Sequence, residues 1–209
     1  MTTFLLIRHC LCDPVGRSIA GRSPGVHLNS AGRAQADALA ARLATLPIAA
    51  IYSSPLERAR ETADPIATRL GLPVITAPGF SEIDFGDWTG RALEELRQVP
   101  AWEAFNSSRS RTRIPGGETM AEVLRRSLAE VERIRCGHVP EALVAVVSHG
   151  DVLRVLVAHS LGISLDLLDR FEVGPGSVSV LSVERQGSRL LLLNSTEGSL
   201  NDSVLRSAR

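Results

Sequence analysis

The 209-residue chain contains no lysine; all 23 of its basic residues are arginine. That absence removes several chemistries together. There is no lysine for a Walker-type phosphate loop, none for a Schiff base with pyridoxal phosphate, and none for a Ser-Lys dyad. Arginine offers instead a planar fork that suits phosphate oxygens. Excess charge is missing too. The 23 basic residues meet 23 acidic ones, so nucleic acid, which needs a basic surface, is not an expected partner. Cysteine is scarce: three residues, two of them two positions apart, do not make the disulfide framework of a secreted domain. No apolar run approaches the roughly 20 residues of a membrane span. The N-terminal apolar run is only "FLLI", too short for a secretory leader. A cytoplasmic protein with no membrane partner is expected. Linkers, low-complexity tracts and internal repeats are also absent, so residues 1–209 are expected to form a single domain.

What is present alternates between two periods. Residues 3–8 are apolar and suit a buried strand. "SAGRAQADALAARLATLP" reads as a helix with Ser30 as its N-cap and Pro47 as its stop. "IAAIYSS" is a second strand. In the helix after it, Ser54, Pro55 and Glu57 stand as N-cap, first-turn proline and third-position glutamate, and Gly71 ends it. "LPVIT" is a third strand. "LEEL" and "AWEAF" are short helices, and "GGETMAEVLRRSLAEVERIRCG" is a long one closed by Gly137. The almost wholly apolar "ALVAVVSHG" is a strand buried on both faces. The helix "DVLRVLVAHSLG" follows, then a hairpin of "SVSVLSVE" and "RLLLLN" around Gly187. This alternation predicts an α/β fold with a mainly parallel sheet. Ligands of such sheets sit beyond the carboxyl ends of the strands.

Those ends carry a consistent set of residues. The first strand ends in Arg8-His9. The second ends in Ser53-Ser54 and opens a helix bearing Arg58. The third leads to a loop with Glu82, and the fourth ends in Ser148-His149-Gly150. A charged residue closing a buried strand costs several kcal/mol without a partner, roughly, and a bound anion would satisfy both arginines.

With these residues in place, the chain resembles the histidine phosphatase superfamily, in its phosphoglycerate-mutase-like branch. "LLIRHC" is similar to the Arg-His-Gly signature and "IYSSPLERARETA" to the second arginine motif. "EIDFGDWTG" resembles the acid motif, "IPGGET" the Pro-Gly-Gly-Glu stretch, and "VVSHGDVLRVLV" the second histidine motif. "AGRSPGVHLNSAGRAQADALAARL" resembles the first connection and helix. The resemblance covers nearly the whole chain. It implies a three-layer α/β/α sandwich of phosphoglycerate mutase-like form. The implied enzyme hydrolyses a small-molecule phosphate ester without cofactor or metal. In it His9 is the nucleophile that becomes phosphohistidine. Arg8, Arg58 and His149 hold the phosphoryl oxygens, and Glu82 is the proton donor. The substrate-binding set implied is Arg8, Arg58, His149, Cys10, Arg22 and Gly150. A homodimer is compatible with this reading. Two alternatives stay open: phosphoglycerate mutase-type transfer through the same intermediate, and a weakly catalytic phospholigand-binding module.

The departures are local. Cys10 stands where the family has glycine, and Leu11 and Cys12 follow it. Pro14, Val15 and Gly16 occupy the region of a usual asparagine. Thr89 replaces a common glutamate. Two nearby arginines are expected to lower the Cys10 thiol's pKa. The cysteines do not supply the chemistry of a thiol phosphatase. That chemistry needs five residues between cysteine and arginine, but six separate Cys10 from Arg17 and four separate Cys12 from it. His27, His138, His159 and Cys136 are scattered and form no metal set. His159 reads as a packing residue, and His27 as part of the loop at the pocket rim. Arg109, Arg111 and Arg113 alternate along a polar segment that reads as a solvated lid, or as one that meets a second anionic group.

Overall fold

The computed structural model describes residues 1–198 and Leu200. Its strands are β1 (Thr2–Arg8), β2 (Ile48–Ser53), β3 (Val74–Thr76), β4 (Leu143–Ser148), β5 (Val178–Glu184) and β6 (Gly187–Ser195). Its helices are α1 (Ser30–Leu43), α2 (Glu57–Leu70), α3 (Leu93–Leu96), α4 (Pro100–Ser107), α5 (Met120–Gly137) and α6 (Gly150–Leu161). The six strands form one sheet in the order β3-β2-β4-β1-β5-β6. The first four run parallel, and β5 and β6 are antiparallel to their neighbours. The sheet is therefore mainly parallel, as expected.

Period-two alternation sorts the strands between two cores. Leu5 and Ile7 of β1, with Ala145 and Val147 of β4, face α1 and α2 through Leu39, Leu43, Ala63 and Ile66. Phe4 and Leu6, with Val144 and Val146, face α5 and α6 through Val131, Ile134, Leu153 and Leu156. Helices on both sheet faces make the three layers. A third cluster joins Trp88 to Trp102 and Phe105 of α4, both of which it meets edge-on, and to Val152 and Val155 of α6.

Two helix starts differ from the sequence reading. Asn29, not Ser30, caps α1, its side chain accepting from the Gly32 N–H at 2.9 Å. Ser54 does not cap α2. That helix begins at Glu57 after Leu56, which makes no side-chain cap. Ser54 Oγ faces His149 instead, and only loosely accepts from the Leu56 N–H, at 3.3 Å. The long helix α5 has a full capping box between Thr119 and Glu122, a device worth about 1 kcal/mol. His159 also differs: at the last turn of α6 it is exposed rather than packed. Among the described residues no helix is long and apolar enough to cross a membrane.

Candidate active site

The parallel register sets three strand ends at one level. Arg8 stands opposite Ser148. The His9 N–H donates to the Ser148 carbonyl at 2.8 Å, and the Ser54 N–H to the Val147 carbonyl at 2.9 Å. Arg8-His9, Ser53-Ser54 and Ser148-His149 are therefore neighbours because β1, β4 and β2 are neighbours. A cavity of about 390 Å³ opens above them, within the range of small-ligand sites. Arg8, His9, Arg58, Glu82 and Gly150 all line it.

His9 is buried, and its Nδ1 lies 2.8 Å from the Cys10 carbonyl oxygen. A carbonyl only accepts, so Nδ1 carries the proton and Nε2 keeps its lone pair. Burial, and then the Arg58 charge, push the His9 pKa down to about 3. The ring is neutral at pH 7.

His149 lies against it, ring centroids 5.2 Å apart. Its Nε2 is 2.8 Å from Ser54 Oγ. Its Nδ1 has no hydrogen-bond partner among the described residues and sits 3.7 Å from Glu82 Oε2. Burial and Arg58 hold His149 well below the ordinary imidazole range.

The two arginines are each half satisfied. Arg8 Nη1 donates to the Val173 carbonyl at 2.7 Å, and Arg58 Nη2 to the Gly21 carbonyl at 2.8 Å. Arg8 Nε and Arg58 Nη1 are buried with no acceptor among the described residues. Gly150 makes room for the first. A Cβ there would stand 3.2 Å from the Arg8 guanidinium carbon.

Glu82 reaches the cavity from a loop that arginines hold by its backbone. Its carbonyl accepts from Arg22 Nε at 2.8 Å and from Arg126 Nη2 at 3.1 Å. Arg126 Nη1 also binds the carbonyls of Gly79 and Ser81. Glu118, from "IPGGET", accepts from Arg22, from Arg126 and from the Asp84 N–H. Gly117 lets that stretch come close, since a Cβ there would meet the Asp84 carbonyl oxygen at 2.3 Å. Burial raises the Glu82 carboxyl above its usual range, against the opposing pull of Arg58.

Several residues stand elsewhere than the sequence suggested. Cys10 does not line the cavity; its side chain is fully buried in the core beneath α1 and α2. Burial pushes its thiol up to about 11, the reverse of the expected activation. Its φ is not positive, so no glycine-only conformation is involved. The Cys10 N–H donates to Thr62 Oγ1, which in turn donates to the Arg58 carbonyl. Cys12 is the cysteine that lines the cavity. Arg22 grips the Glu82 backbone and does not line the cavity. His27 pairs with Glu61 on the surface. Of the three alternating arginines, Arg109 is buried and lines the cavity, while Arg113 pairs with Glu122. Asp151 and Arg154 also line the cavity, and Ser54, a polar strand end in the sequence, pairs with His149.

A neutral, oriented imidazole ringed by buried unpartnered N–H donors, with a carboxyl of raised pKa, is the equipment of a phosphoryl-transfer enzyme that needs no metal. Residues 4–196 match the family model of the histidine phosphatase superfamily (branch 1), and the chain belongs to that family. It is 33% identical over 200 residues to phosphoserine phosphatase 1 of Hydrogenobacter thermophilus, covering 94% of this chain and 93% of that protein. It is 36% identical over 165 residues to a metal-independent phosphoserine phosphatase of Arabidopsis thaliana, covering 75% and 67%. The solved α-ribazole phosphatase of Shigella flexneri superposes with a TM-score of 0.83 at 27% identity, covering 95% and 99%. The chain is a phosphatase, a phosphomonoesterase of the histidine phosphatase type.

Proposed function

We propose that the protein hydrolyses a small phosphorylated metabolite in two steps, with His9 as the nucleophile. The observation that carries this reading is the meeting of one free imidazole nitrogen with three buried, unpartnered donors: Arg8 Nε, Arg58 Nη1 and His149 Nδ1. In the first step His9 Nε2 attacks phosphorus and the P–O bond to the alcohol breaks. Glu82, protonated, gives its proton to the leaving oxygen. In the second step the Glu82 carboxylate takes a proton from water, whose oxygen attacks phosphorus as the P–N bond breaks and its electron pair returns to His9 Nε2. Inorganic phosphate leaves and His9 is neutral again.

The cations act where charge spreads, on the equatorial oxygens. Ser54 sets the state of His149. Its hydroxyl lies within hydrogen-bond reach of His149 Nε2; when it donates there, Nδ1–H is left as a donor to phosphate. The raised carboxyl of Glu82 suits a proton donor near neutral pH.

The test is phosphate release across a panel of phosphorylated metabolites, with and without a chelator. Release that survives exhaustive chelation, is inhibited by vanadate and is lost in His9→Ala supports the reading. Release that needs a divalent ion, or that persists in a folded His9→Ala variant, contradicts it.

A further inference from the structure

The chemistry of His9 depends on one hydrogen bond. Its Nδ1 donates to the Cys10 carbonyl at 2.8 Å, and that leaves Nε2 as the bare nitrogen. The acceptor belongs to a residue outside the sheet, because β1 ends at Arg8. No strand ladder therefore sets the direction of the Cys10 carbonyl. The backbone around it is held instead from several sides. The Gly176 N–H donates to the carbonyls of Arg8 and His9, at 3.1 and 3.3 Å. The Leu11 N–H donates to Gln35 Oε1 at 3.1 Å, and the Leu11 carbonyl accepts from the Asn29 N–H at 3.1 Å. Between these clamps the Cys10 N–H donates to Thr62 Oγ1 at 3.0 Å.

Thr62 is fully buried, four residues past Arg58 and so on the same face of α2. The roles within its contacts are forced. An amide N–H only donates, so Thr62 Oγ1 accepts from Cys10, and its own proton goes to the Arg58 carbonyl at 2.8 Å. One helix thus carries a phosphate-holding arginine and a grip on the residue that orients the nucleophile. We propose that Thr62 is a positioning residue for His9: its hydroxyl holds the Cys10 backbone so that the Cys10 carbonyl stays on Nδ1 and Nε2 stays bare. The inference rests on the reading above, in which His9 Nε2 attacks phosphorus. A buried N–H left without a partner is costly. Without the hydroxyl, the Cys10 amide would turn toward another acceptor, and the carbonyl of the same residue would turn with it. The imidazole would then lose the acceptor that keeps its proton on Nδ1. A ring with its proton on Nε2 has no lone pair to offer phosphorus. The grip is on backbone, so it serves whatever side chain stands at position 10.

Thr62→Val and Thr62→Ser test this, each checked for folding by circular dichroism. Valine keeps the shape and removes the hydroxyl; serine keeps the hydroxyl. Two readouts are needed. The first is single-turnover release of nitrophenolate from p-nitrophenyl phosphate, with inorganic phosphate as competitive inhibitor. In Thr62→Val the release rate should fall roughly tenfold, the scale of one buried hydrogen bond. Inhibition by phosphate should hold, because Arg8 and Arg58 remain. Thr62→Ser should stay close to wild type. The second readout is nitrogen NMR of the histidine rings, with His9 assigned by its loss in His9→Asn. The His9 proton should sit on Nδ1 in wild type and Thr62→Ser, and shift toward Nε2 in Thr62→Val. If the valine protein does not fold, Thr62→Ala takes its place. An unchanged rate in the folded variant lacking the hydroxyl would overturn the proposal and leave the phosphatase reading standing. So would equal losses in the valine and serine variants, or a slow variant whose His9 proton stays on Nδ1. A wild-type ring protonated on Nε2 would overturn it with no variant at all. If wild type releases no nitrophenolate, the phosphatase reading itself falls and takes the role of Thr62 with it.

Discussion

His149 Nε2 and Ser54 Oγ are 2.8 Å apart, across the ends of two adjacent parallel strands. The serine that the sequence offers as a helix cap is used to orient an imidazole. Removing the hydroxyl leaves both ring nitrogens of a buried histidine without a protein partner. Ser54→Ala should therefore lower kcat/KM by roughly tenfold, the value of one buried hydrogen bond. The loss should fall on phosphate affinity, read as weaker inhibition by vanadate. Unchanged vanadate inhibition would show that Ser54 does not set the donor.

Glu82→Gln should separate substrates by their leaving groups. An alkoxide needs a proton as it departs; nitrophenolate barely does. Alkyl phosphates should lose roughly 10²–10⁴-fold, the usual scale of general acid catalysis, and p-nitrophenyl phosphate much less. In the wild type, kcat/KM for alkyl phosphates should fall as pH rises through the raised pKa of Glu82. That limb should be absent for the nitrophenyl ester. Equal losses on both esters would assign Glu82 to structure.

The depressed pKa of His9, about 3 against 6.5, also makes a statement about stability. Between these values the unfolded chain binds a proton at this position and the folded one does not. Stability from this group is complete above pH 6.5 and is lost as pH falls toward 3. Denaturant titrations at pH 7 and pH 4 should show a smaller acid-induced loss in His9→Asn than in wild type. Identical losses would mean that His9 is not held neutral by the fold.

Cys10→Gly should leave turnover unchanged while costing roughly 1–2 kcal/mol of stability, from a lost buried side chain and a freer backbone. That corresponds to a melting temperature lower by about 2–6 °C. In the native protein a thiol reagent should modify the exposed Cys136 first, and Cys10 only after unfolding. Rapid native modification of Cys10, measured by peptide mapping, would contradict the burial.

The sheet and the inner site were legible because apolar runs that end in charge are rare and costly. "FLLIRH" and "VAVVSH" announce both a buried strand and the side at which it opens. Directions of single side chains were not legible. Cys10 follows the nucleophile by one residue, and its sequence does not say which way the thiol turns; packing against α1 and α2 decides that. Arg109, Arg111 and Arg113 are alike in sequence, and only the contacts of Arg109 with Asp151 and Asp169, from α6 and the turn after it, single it out. Arg126 and Arg154 sit among other charges on amphipathic helices. Their spacing reads as a solvated face, although Arg126 grips the Glu82 loop and Arg154 lines the cavity.

The central claim is a phosphoryl group on His9 Nε2, and quenching the enzyme during turnover tests it most directly. After an alkaline quench, peptide mass spectrometry should find phosphate on the peptide containing His9. After an acid quench the modification should be gone, because the P–N bond of phosphohistidine is labile to acid. An acid-stable phosphoenzyme, or alkali-stable phosphate on any other residue, would contradict the account.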